Sequence, residues 1–137
     1  MKLTKSHRAY FHAARAISGL SDYKQKIGCV VVMGHTIISS GHNSHSKCHA
    51  MQAKLNKDEF GYECIGLVHA EVDALLPLLK RRLDLSRASI YVYRQRKDGS
   101  LGLARPCASC MSLIRRLGIR NVYYTNEGGY SHEEVLY

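Results

Sequence analysis

The run Ile27–Met33 constrains the fold of this chain more than any other segment. Its residues, Ile-Gly-Cys-Val-Val-Val-Met, are apolar at odd and even positions alike, and most of them are β-branched. A strand with two apolar faces is buried on both sides, so this pattern indicates the interior of a layered sheet. Gly34-His35 predicts a turn directly after it, and Thr36–Ser40 is then the returning strand of a hairpin.

A later part of the chain predicts a parallel pair of strands. Ala88–Arg94 alternates and is rich in strand-forming residues, and Ile119–Thr125 is the last clear strand. Between them, Pro106 opens a helix that extends to about Leu117, and Gly118 follows where glycine commonly ends a helix. Two strands joined through a helix form a βαβ unit, so at least part of the sheet is expected to be parallel.

Two further helices are predicted from apolar residues at helical spacing. Ser6–Leu20 carries one such stripe, and Val68–Arg82 carries another. Pro77 lies inside the second of these helices. We expect it to kink or divide that helix, because proline lacks a backbone N–H group.

The remaining segments give weaker signals. Gly41–Leu67 contains several breakers and no sustained period, which predicts a long loop with room for a helix near Met51–Asn56. Asp98-Gly99 predicts a turn followed by a short strand at Leu101–Leu103. Polar residues in Ser131–Tyr137 have the spacing of a capping box, which predicts one or two turns of helix there.

The charge balance narrows the range of partners. The chain has 137 residues, with 20 Lys and Arg against 11 Asp and Glu, and its formal net charge is +9. At about 100–200 residues per domain, this length predicts one domain with its own core. A hydrophobic fraction of 45% and a charged fraction of 23% exclude disordered and low-complexity classes. The excess of positive charge favours a phosphate-bearing partner, either a nucleotide or a nucleic acid.

Cysteine content and short apolar runs predict a protein that stays in the cytoplasm and has no membrane partner. The strongly apolar run Ile27–Met33 is far shorter than the roughly 20 residues of a membrane-spanning helix. Met1–Arg8 has charge but no apolar stretch behind it, so we expect no secretory signal. Five cysteines, an odd number, then favour reduced thiols and metal ligation over disulfide bonds.

Two short motifs lie at the starts of two predicted helices. They are His69-Ala70-Glu71 and the Pro-Cys-Ala-Ser-Cys segment that contains Cys107 and Cys110. The two cysteines are three residues apart on the first turn of one helix, so both thiols project to one side. The positive end of that helix favours thiolate, which is the form that binds metal. His69 supplies a nitrogen atom from the other helix.

Three protein ligands of the Cys₂His type are typical of catalytic zinc, because they leave one tetrahedral position open to water. The metal lowers the pKa of that water toward about 7. Glu71, two residues after His69, is close enough to reach the water without being a ligand, and it can pass the proton to a leaving group. The two motifs together therefore predict a catalytic zinc site.

These motifs resemble the zinc nucleoside deaminase signature, His-x-Glu followed by Pro-Cys-x-x-Cys. The chain is similar to the deoxycytidylate (dCMP) deaminase branch of the cytidine deaminase-like superfamily. The resemblance includes the strand Ile27–Met33, the segment Ser40-Gly41-His42-Asn43 and the segment Gly118–Tyr124. It implies the α/β class, with a three-layer cytidine deaminase-like fold. In this fold a mixed sheet of about five strands has helices on both faces, here in a single domain over residues 1–137.

The resemblance also implies a role for each residue of the site. His69, Cys107 and Cys110 are expected to bind one catalytic Zn²⁺, and Glu71 is expected to be the catalytic proton carrier. Asn43 is expected to bind the sugar of the substrate, and the backbone amides of Ala70 and Cys107 are expected to lie near the base. The reaction implied is hydrolytic deamination, at C4 of cytosine or C6 of adenine, with release of ammonia.

Three functions follow from these features. The first is deamination of a cytosine nucleotide, with dCMP or CMP favoured, by a homo-oligomer that the resemblance alone implies. Histidine at position 69 fits the nucleotide, tRNA and polynucleotide branches, whereas free-nucleoside deaminases usually have cysteine there. The second is deamination of cytosine or adenine in single-stranded DNA or tRNA, whose backbone the positive charge would follow. The third is a non-catalytic nucleic-acid-binding module with structural zinc, although such a site has no use for Glu71.

Histidines and cysteines are dense in the long loop after the second strand. A second, structural zinc ion could order this loop, and Cys48, His49 and Cys64 are the first candidates for its ligands. The alternative is that these residues line the entrance to the site, with the cysteines as small buried side chains. His42 and His45 are instead candidates for contact with a substrate phosphate.

The segment Arg94–Arg105 is longer than the link that the resemblance leads us to expect before the Pro-Cys motif. Four basic residues that flank that motif in sequence are candidates for phosphate binding: Arg94, Arg96, Lys97 and Arg105. The other basic clusters, Lys80-Arg81-Arg82 and Arg115-Arg116, are expected to be solvated surface.

Overall fold

A five-stranded mixed sheet forms the centre of the fold, as the sequence predicts. A computed structural model describes residues 1–46, 48–61 and 67–135 of the chain. The strands lie in the order β2-β1-β3-β4-β5, and only β3 and β4 are parallel neighbours. Their bounds are β1 Ile27–Met33, β2 Thr36–His42, β3 Ala88–Arg94, β4 Asn121–Asn126 and β5 Gly129–Glu134.

Helices cover both faces of this sheet, which confirms the three-layer arrangement. Within the described residues they are α1 Lys5–Ser18, α2 Ala50–Phe60, α3 Ala70–Arg81 and α4 Ala108–Arg116. Alternate residues of β1 point to opposite layers: Val30 and Val32 pack with α1, whereas Cys29 and Val31 pack with α3 and α4. In the part of the chain that the structure describes, every helix is too short or too polar to cross a membrane.

The helix predicted for Ser131–Tyr137 is wrong, because residues 131–134 belong to the strand β5. Glu127-Gly128 forms a turn between β4 and β5, and Gly129 follows with a φ of 140°, which favours glycine. The Ser131 hydroxyl accepts a hydrogen bond from the side chain of Asn126 across this hairpin instead of capping a helix. Pairing along the whole of β4 outweighs a capping signal that had only one or two turns of helix to support.

Three other elements differ from the sequence prediction. α2 extends over Ala50–Phe60, beyond the segment Met51–Asn56, and Gly61 ends it in the left-handed conformation. Leu101 makes one isolated bridge to Gln95, so the short strand predicted there is reduced to that contact. Pro77 does not divide α3; it lies exposed on that helix, where water can bond the carbonyl group that proline leaves without a donor.

A close approach of β2 to α3 positions the start of that helix. A Cβ atom at Gly41 would lie 2.4 Å from the backbone nitrogen of Ala74 and 2.5 Å from the carbonyl oxygen of Ala70. Beside this contact, the backbone N–H of His42 donates a hydrogen bond to Asp73 Oδ2 at 3.1 Å. Only glycine fits at position 41, so the first turns of α3 lie directly against the sheet.

We expect the substitution Gly41→Ala to lower the free energy of unfolding by about 1–3 kcal/mol, because the added methyl group must displace α3. Urea unfolding followed by circular dichroism measures the change. Gly128→Ala is the matched control, since a Cβ atom there would meet its nearest neighbour, Asn126 Oδ1, at an ordinary 3.5 Å. Equal losses in the two variants would contradict the close packing at Gly41.

Candidate metal centre

α3 and α4 each begin at a residue of a metal-binding type. His69 is the N-cap of α3 and Cys107 is the N-cap of α4, both with extended backbone. Neither side chain forms a capping hydrogen bond with its own helix. Ser, Thr, Asp or Asn at these positions would stabilise each helix by about 1 kcal/mol. Both helices therefore lack a side-chain cap, and both N-cap residues present a donor atom to the space between the helices.

Three donor atoms meet in that space. His69 Nδ1 lies 3.3 Å from Cys110 Sγ and 3.5 Å from Cys107 Sγ, and all three atoms lie within 4.8 Å of one another. Tetrahedral zinc has bonds of about 2.0 Å to nitrogen and 2.3 Å to sulfur, which places such atoms about 3.5 Å apart. The donor types and their spacing fit Zn²⁺ with a fourth position open. Among the described residues, no other group of three potential ligands is gathered in this way.

The two thiols have opposite electrostatic surroundings. A hydrogen bond from the Cys110 thiol, supported by one from His69, lowers the pKa of Cys107 to about 3. The same bond to Cys107, together with burial, raises the pKa of Cys110 well above its ordinary value. One thiolate is therefore stable at this place without a cation, and a bound cation would provide the charge that stabilises the second.

Glu71 lies beside the donor atoms in the first turn of α3, and only 5% of it is exposed. Burial raises the pKa of its carboxyl group, because the charged form loses its contact with water, and the neighbouring His69 opposes this rise in part. The Cys110 thiol also forms a hydrogen bond with the carboxyl group. A raised pKa makes this carboxyl group a better proton acceptor than an exposed glutamate, which suits a general acid–base catalyst.

A cavity of about 320 Å³ opens onto these residues. Its volume falls in the range of about 300–1,000 Å³ that is usual for small-molecule sites. His69, Ala70, Glu71 and Cys107 form one part of its wall. The rest of the wall combines apolar and polar side chains, among them Ile27, Leu67, Val68, Gln25, Asn43, Ser44 and Arg105.

Asn43 lines this cavity, and three hydrogen bonds hold its side chain in place. Its Oδ1 atom accepts from Ser21 Oγ at 2.6 Å and from the backbone N–H of Ile27 at 3.0 Å. Its Nδ2 atom donates to the carbonyl oxygen of Gln25 at 2.6 Å. The amide group is therefore oriented before any ligand arrives, which lowers the entropic cost of a specific contact.

The two histidines predicted to contact phosphate lie outside this wall. His42 Nδ1 lies 3.1 Å from the carbonyl oxygen of Asn43. His45 is exposed, and its Nδ1 atom lies 3.1 Å from the carbonyl oxygen of Asp22. As far as the described residues form the cavity, neither histidine lines it. Both side chains instead support the loop that follows β2.

The residues predicted to hold a second zinc ion are described only in part. Cys48 is exposed and its backbone forms an isolated bridge with Leu67. His49 is the N-cap of α2, and its Nδ1 atom accepts a hydrogen bond from the backbone N–H of Met51 at 3.0 Å. Cys64 lies outside the described residues. The second zinc site therefore stays a prediction.

Of the four basic residues predicted to bind phosphate, Arg105 lines the cavity, whereas Arg94, Arg96 and Lys97 do not belong to its described wall. Arg105 Nε donates to Glu133 Oε2 at 2.6 Å, and this bond raises the pKa of Arg105 and lowers that of Glu133. The Arg94 side chain lies over Gly102, and its guanidinium group donates to the carbonyl oxygen of Leu103 at 3.4 Å.

A buried polar network that the sequence analysis missed joins the two motifs through α2. Gln52 Oε1 accepts a hydrogen bond from the backbone N–H of His69 at 3.1 Å, and Gln52 Nε2 donates to Asn56 Oδ1 at 3.0 Å. Ser109 Oγ, from the Pro-Cys motif, donates to the same oxygen at 2.7 Å. The available signal was the spacing of Gln52 and Asn56, since residues four apart share one helix face. We infer that this network sets the distance between the two sets of ligands.

We expect Gln52→Met to weaken zinc binding about 10–100-fold, the usual effect of removing a group that orients a metal ligand. The change removes the acceptor that Gln52 offers to the His69 N–H group. Competition with a chromogenic chelator measures the zinc affinity. Lys54→Met is the matched control, because Lys54 is an exposed residue of the same helix. A Gln52 variant that lost stability but bound zinc as tightly as the wild type would contradict the positioning role.

Solved structures share this fold. The dCMP deaminase from the cyanophage S-TIM5, in complex with dCMP and dUMP, superposes with a TM-score of 0.64 at 22% identity, over 92% of this chain and 85% of that chain. The cytidine deaminase from Burkholderia pseudomallei superposes with a TM-score of 0.63 at 22% identity, over 96% of this chain and 93% of that chain. These likenesses confirm the predicted cytidine deaminase-like fold.

The sequence itself connects the chain to a family. A search of curated proteins finds no match. A sequence model described as the cytidine and deoxycytidylate deaminase zinc-binding region, in contrast, matches residues 4–126. This range includes both motifs of the metal centre and most of the sheet. The chain therefore belongs to the cytidine and deoxycytidylate deaminase family, and it is a zinc-dependent hydrolytic deaminase.

Proposed function

We propose that this enzyme converts a cytosine nucleotide, with dCMP or CMP as the substrate, to the uracil nucleotide and ammonia. One observation carries the proposal: His69, Glu71 and Cys107 line the same cavity of about 320 Å³. A base in that cavity meets the metal ligands and the buried carboxyl group together. Zinc bound there would lower the pKa of a water molecule toward about 7 and so supply the nucleophile.

The chain's own residues supply the orientation and the proton transfers. Glu71 accepts one proton of the attacking water and passes it to the ring nitrogen beside C4. It then accepts the remaining proton of the hydroxyl group added at C4 and passes it to the amino group, which leaves as ammonia. Ala70 and Cys107 line the cavity next to these groups, and their backbone amides hold the base. Asn43, already oriented by its three hydrogen bonds, binds the sugar.

Arg105 supports a substrate that carries phosphate. Among the described residues that line the cavity, Arg105 is the single one of the lysine and arginine types. Two hydrogen bonds, at 2.6 and 3.1 Å, hold Arg105 to Glu133. Because the Arg105 side chain is 48% exposed and that of Glu133 is 35% exposed, solvent screens this pair and a phosphate can compete with the carboxylate for the guanidinium group. The structure of the S-TIM5 dCMP deaminase with dCMP and dUMP supports a nucleotide substrate for this related fold.

The proposal also includes a single-domain enzyme, a location in the cytoplasm and assembly as a homo-oligomer. The two cores share one sheet, which supports a single domain over residues 1–137. Two cysteine ligands need reduced thiols, which supports the cytoplasm. A homo-oligomer rests on the family resemblance. The buried Glu71 speaks against a non-catalytic module, because a structural zinc site has no use for such a group.

We expect Glu71→Gln to retain zinc but to lower kcat about 10²–10⁴-fold, because the amide cannot carry the proton. Ammonia release from dCMP and metal analysis of the purified variant measure the two effects. Glu134→Gln, which changes an exposed carboxylate of β5, is the matched control. Cys107→Ala should lose zinc and activity together. Normal turnover by the Glu71 variant would contradict its role as the proton carrier.

We expect Arg105→Ala to raise the KM for dCMP about 10–100-fold, since a charged hydrogen bond to phosphate is worth about 1.5–3 kcal/mol. The KM for deoxycytidine, which has no phosphate, should stay the same. Steady-state deamination of both substrates measures the difference. Arg87→Ala, at an exposed position before β3, is the control. An equal rise in KM for both substrates would contradict a phosphate contact at Arg105.

A further inference from the structure

Arg105 is held in the wall of the metal-centre cavity by a residue that lies 28 positions later in the chain. Arg105 comes directly before the Pro-Cys motif, and its partner Glu133 belongs to β5, a strand at the edge of the sheet. Arg105 Nε donates to Glu133 Oε2 at 2.6 Å, and Arg105 Nη2 donates to Oε1 at 3.1 Å. Both oxygens of the carboxylate therefore bind one edge of the planar guanidinium group.

Contacts from β4 support this pair. The backbone N–H group of Ala104 donates to the carbonyl oxygen of Thr125 at 2.9 Å, which fixes the chain one residue before Arg105. The buried Tyr124 donates a hydrogen bond from its hydroxyl group to Glu133, and it also contacts the Arg105 side chain. The guanidinium group is thus held at its backbone and at one edge.

Glu133 leaves part of the guanidinium group available. Such a group carries five N–H donors in a planar fork, and Glu133 accepts one from Nε and one from Nη2. The other edge, formed by Nη1 and the second N–H group of Nη2, has the geometry that binds two oxygens of a phosphate. A phosphate can therefore compete for the charge of Arg105 at this edge while Glu133 keeps its own.

Without Glu133, the Arg105 side chain has a second place to go. Besides the metal-centre cavity, it lines a cavity of about 460 Å³ whose wall also includes Glu59 and Glu134. Both of these glutamates are exposed. An arginine released from Glu133 can turn toward either of them and away from the metal-centre cavity. A substrate would then bear the entropic cost of ordering a long, flexible side chain.

We propose that Glu133 is a positioning residue that sets the preference of this enzyme for phosphorylated over unphosphorylated substrates. By holding one edge of the Arg105 guanidinium group, it presents the other edge to the phosphate of a nucleotide in the metal-centre cavity. This role rests on the proposed phosphate contact of Arg105. Glu133 acts through that arginine and does not touch the substrate itself.

Steady-state deamination of dCMP and of deoxycytidine by the zinc-loaded full-length enzyme tests the proposal. Glu133→Ala should raise the KM for dCMP about 3–10-fold, because the substrate must then order the arginine side chain. The KM for deoxycytidine should stay the same, because this substrate has no phosphate. The kcat values should also stay the same, because Glu71 and the metal ligands are unchanged.

Three further variants isolate the contact. Glu127→Ala is the matched control, since Glu127 is an exposed carboxylate whose partner, Arg96, does not belong to the described wall of the metal-centre cavity. Glu133→Gln keeps an oxygen that can accept from Arg105 Nε, so its KM for dCMP should lie between those of Glu133→Ala and the wild type. Adding Glu133→Ala to Arg105→Ala should not raise the KM for dCMP further, because the two residues act as one unit.

A KM for dCMP that stays the same or falls in Glu133→Ala would overturn the proposal; a fall would show that the carboxylate withholds Arg105 from phosphate. An equal rise for dCMP and deoxycytidine, or a further rise in the Arg105→Ala background, would also overturn it, because Glu133 would then act on the site in general. The wild type and Arg105→Ala test the proposed function by themselves. If the wild type deaminates dCMP and Arg105→Ala raises its KM, the proposed function stands whatever the Glu133 variants show.

Discussion

The structure depends on the convergence of two helix N-termini on one point. Each helix start carries partial positive charge, which favours thiolates there and also makes the two ends repel each other. The cysteines at the start of α4 compensate this charge, and they complete a donor set with His69 from α3. The site therefore works only if the surrounding fold holds the two ends at a fixed distance.

Three contacts from different parts of the chain hold that distance. Gly41 of β2 seats the first turns of α3 against the sheet. The carbonyl oxygen of Thr125, in β4, accepts a hydrogen bond from the Ala104 N–H group at 2.9 Å. The Thr125 hydroxyl donates to the carbonyl oxygen of Gly102 at 2.8 Å, so two bonds fix the segment before α4. Gln52 connects the two starts from the side through the buried network of α2. The metal centre is thus a property of the whole domain.

Local sequence patterns predicted the elements that carry the chemistry. The two-faced apolar run of β1 and the βαβ unit around α4 follow from short-range periodicity, and the structure places both motifs at helix starts. What the sequence could not predict depends on distant pairing. β5 forms because β4 offers a free edge, and Ser109 meets Asn56 across 53 positions of the chain. No local sequence pattern indicates which distant residue each of these will pair with, so the pairings can be seen only in the folded chain.

The structure shows where the basic residues near the Pro-Cys motif lie. Of the four basic residues expected to bind phosphate, Arg105 lines the metal-centre cavity and Arg94 packs over Gly102. The other two, Arg96 and Lys97 in the lengthened segment, line a separate cavity of about 500 Å³. The added residues of this segment therefore change the protein surface and leave the ligand geometry as the motifs predict.

Zinc titration of the metal-free enzyme, with release of ammonia from dCMP as the readout, tests the central claim most directly. The account predicts no turnover without zinc, a linear rise, and a plateau at one zinc ion per chain with uracil nucleotide as the product. Turnover by the metal-free protein would contradict it, and so would one bound zinc ion per chain without deamination of any cytosine substrate.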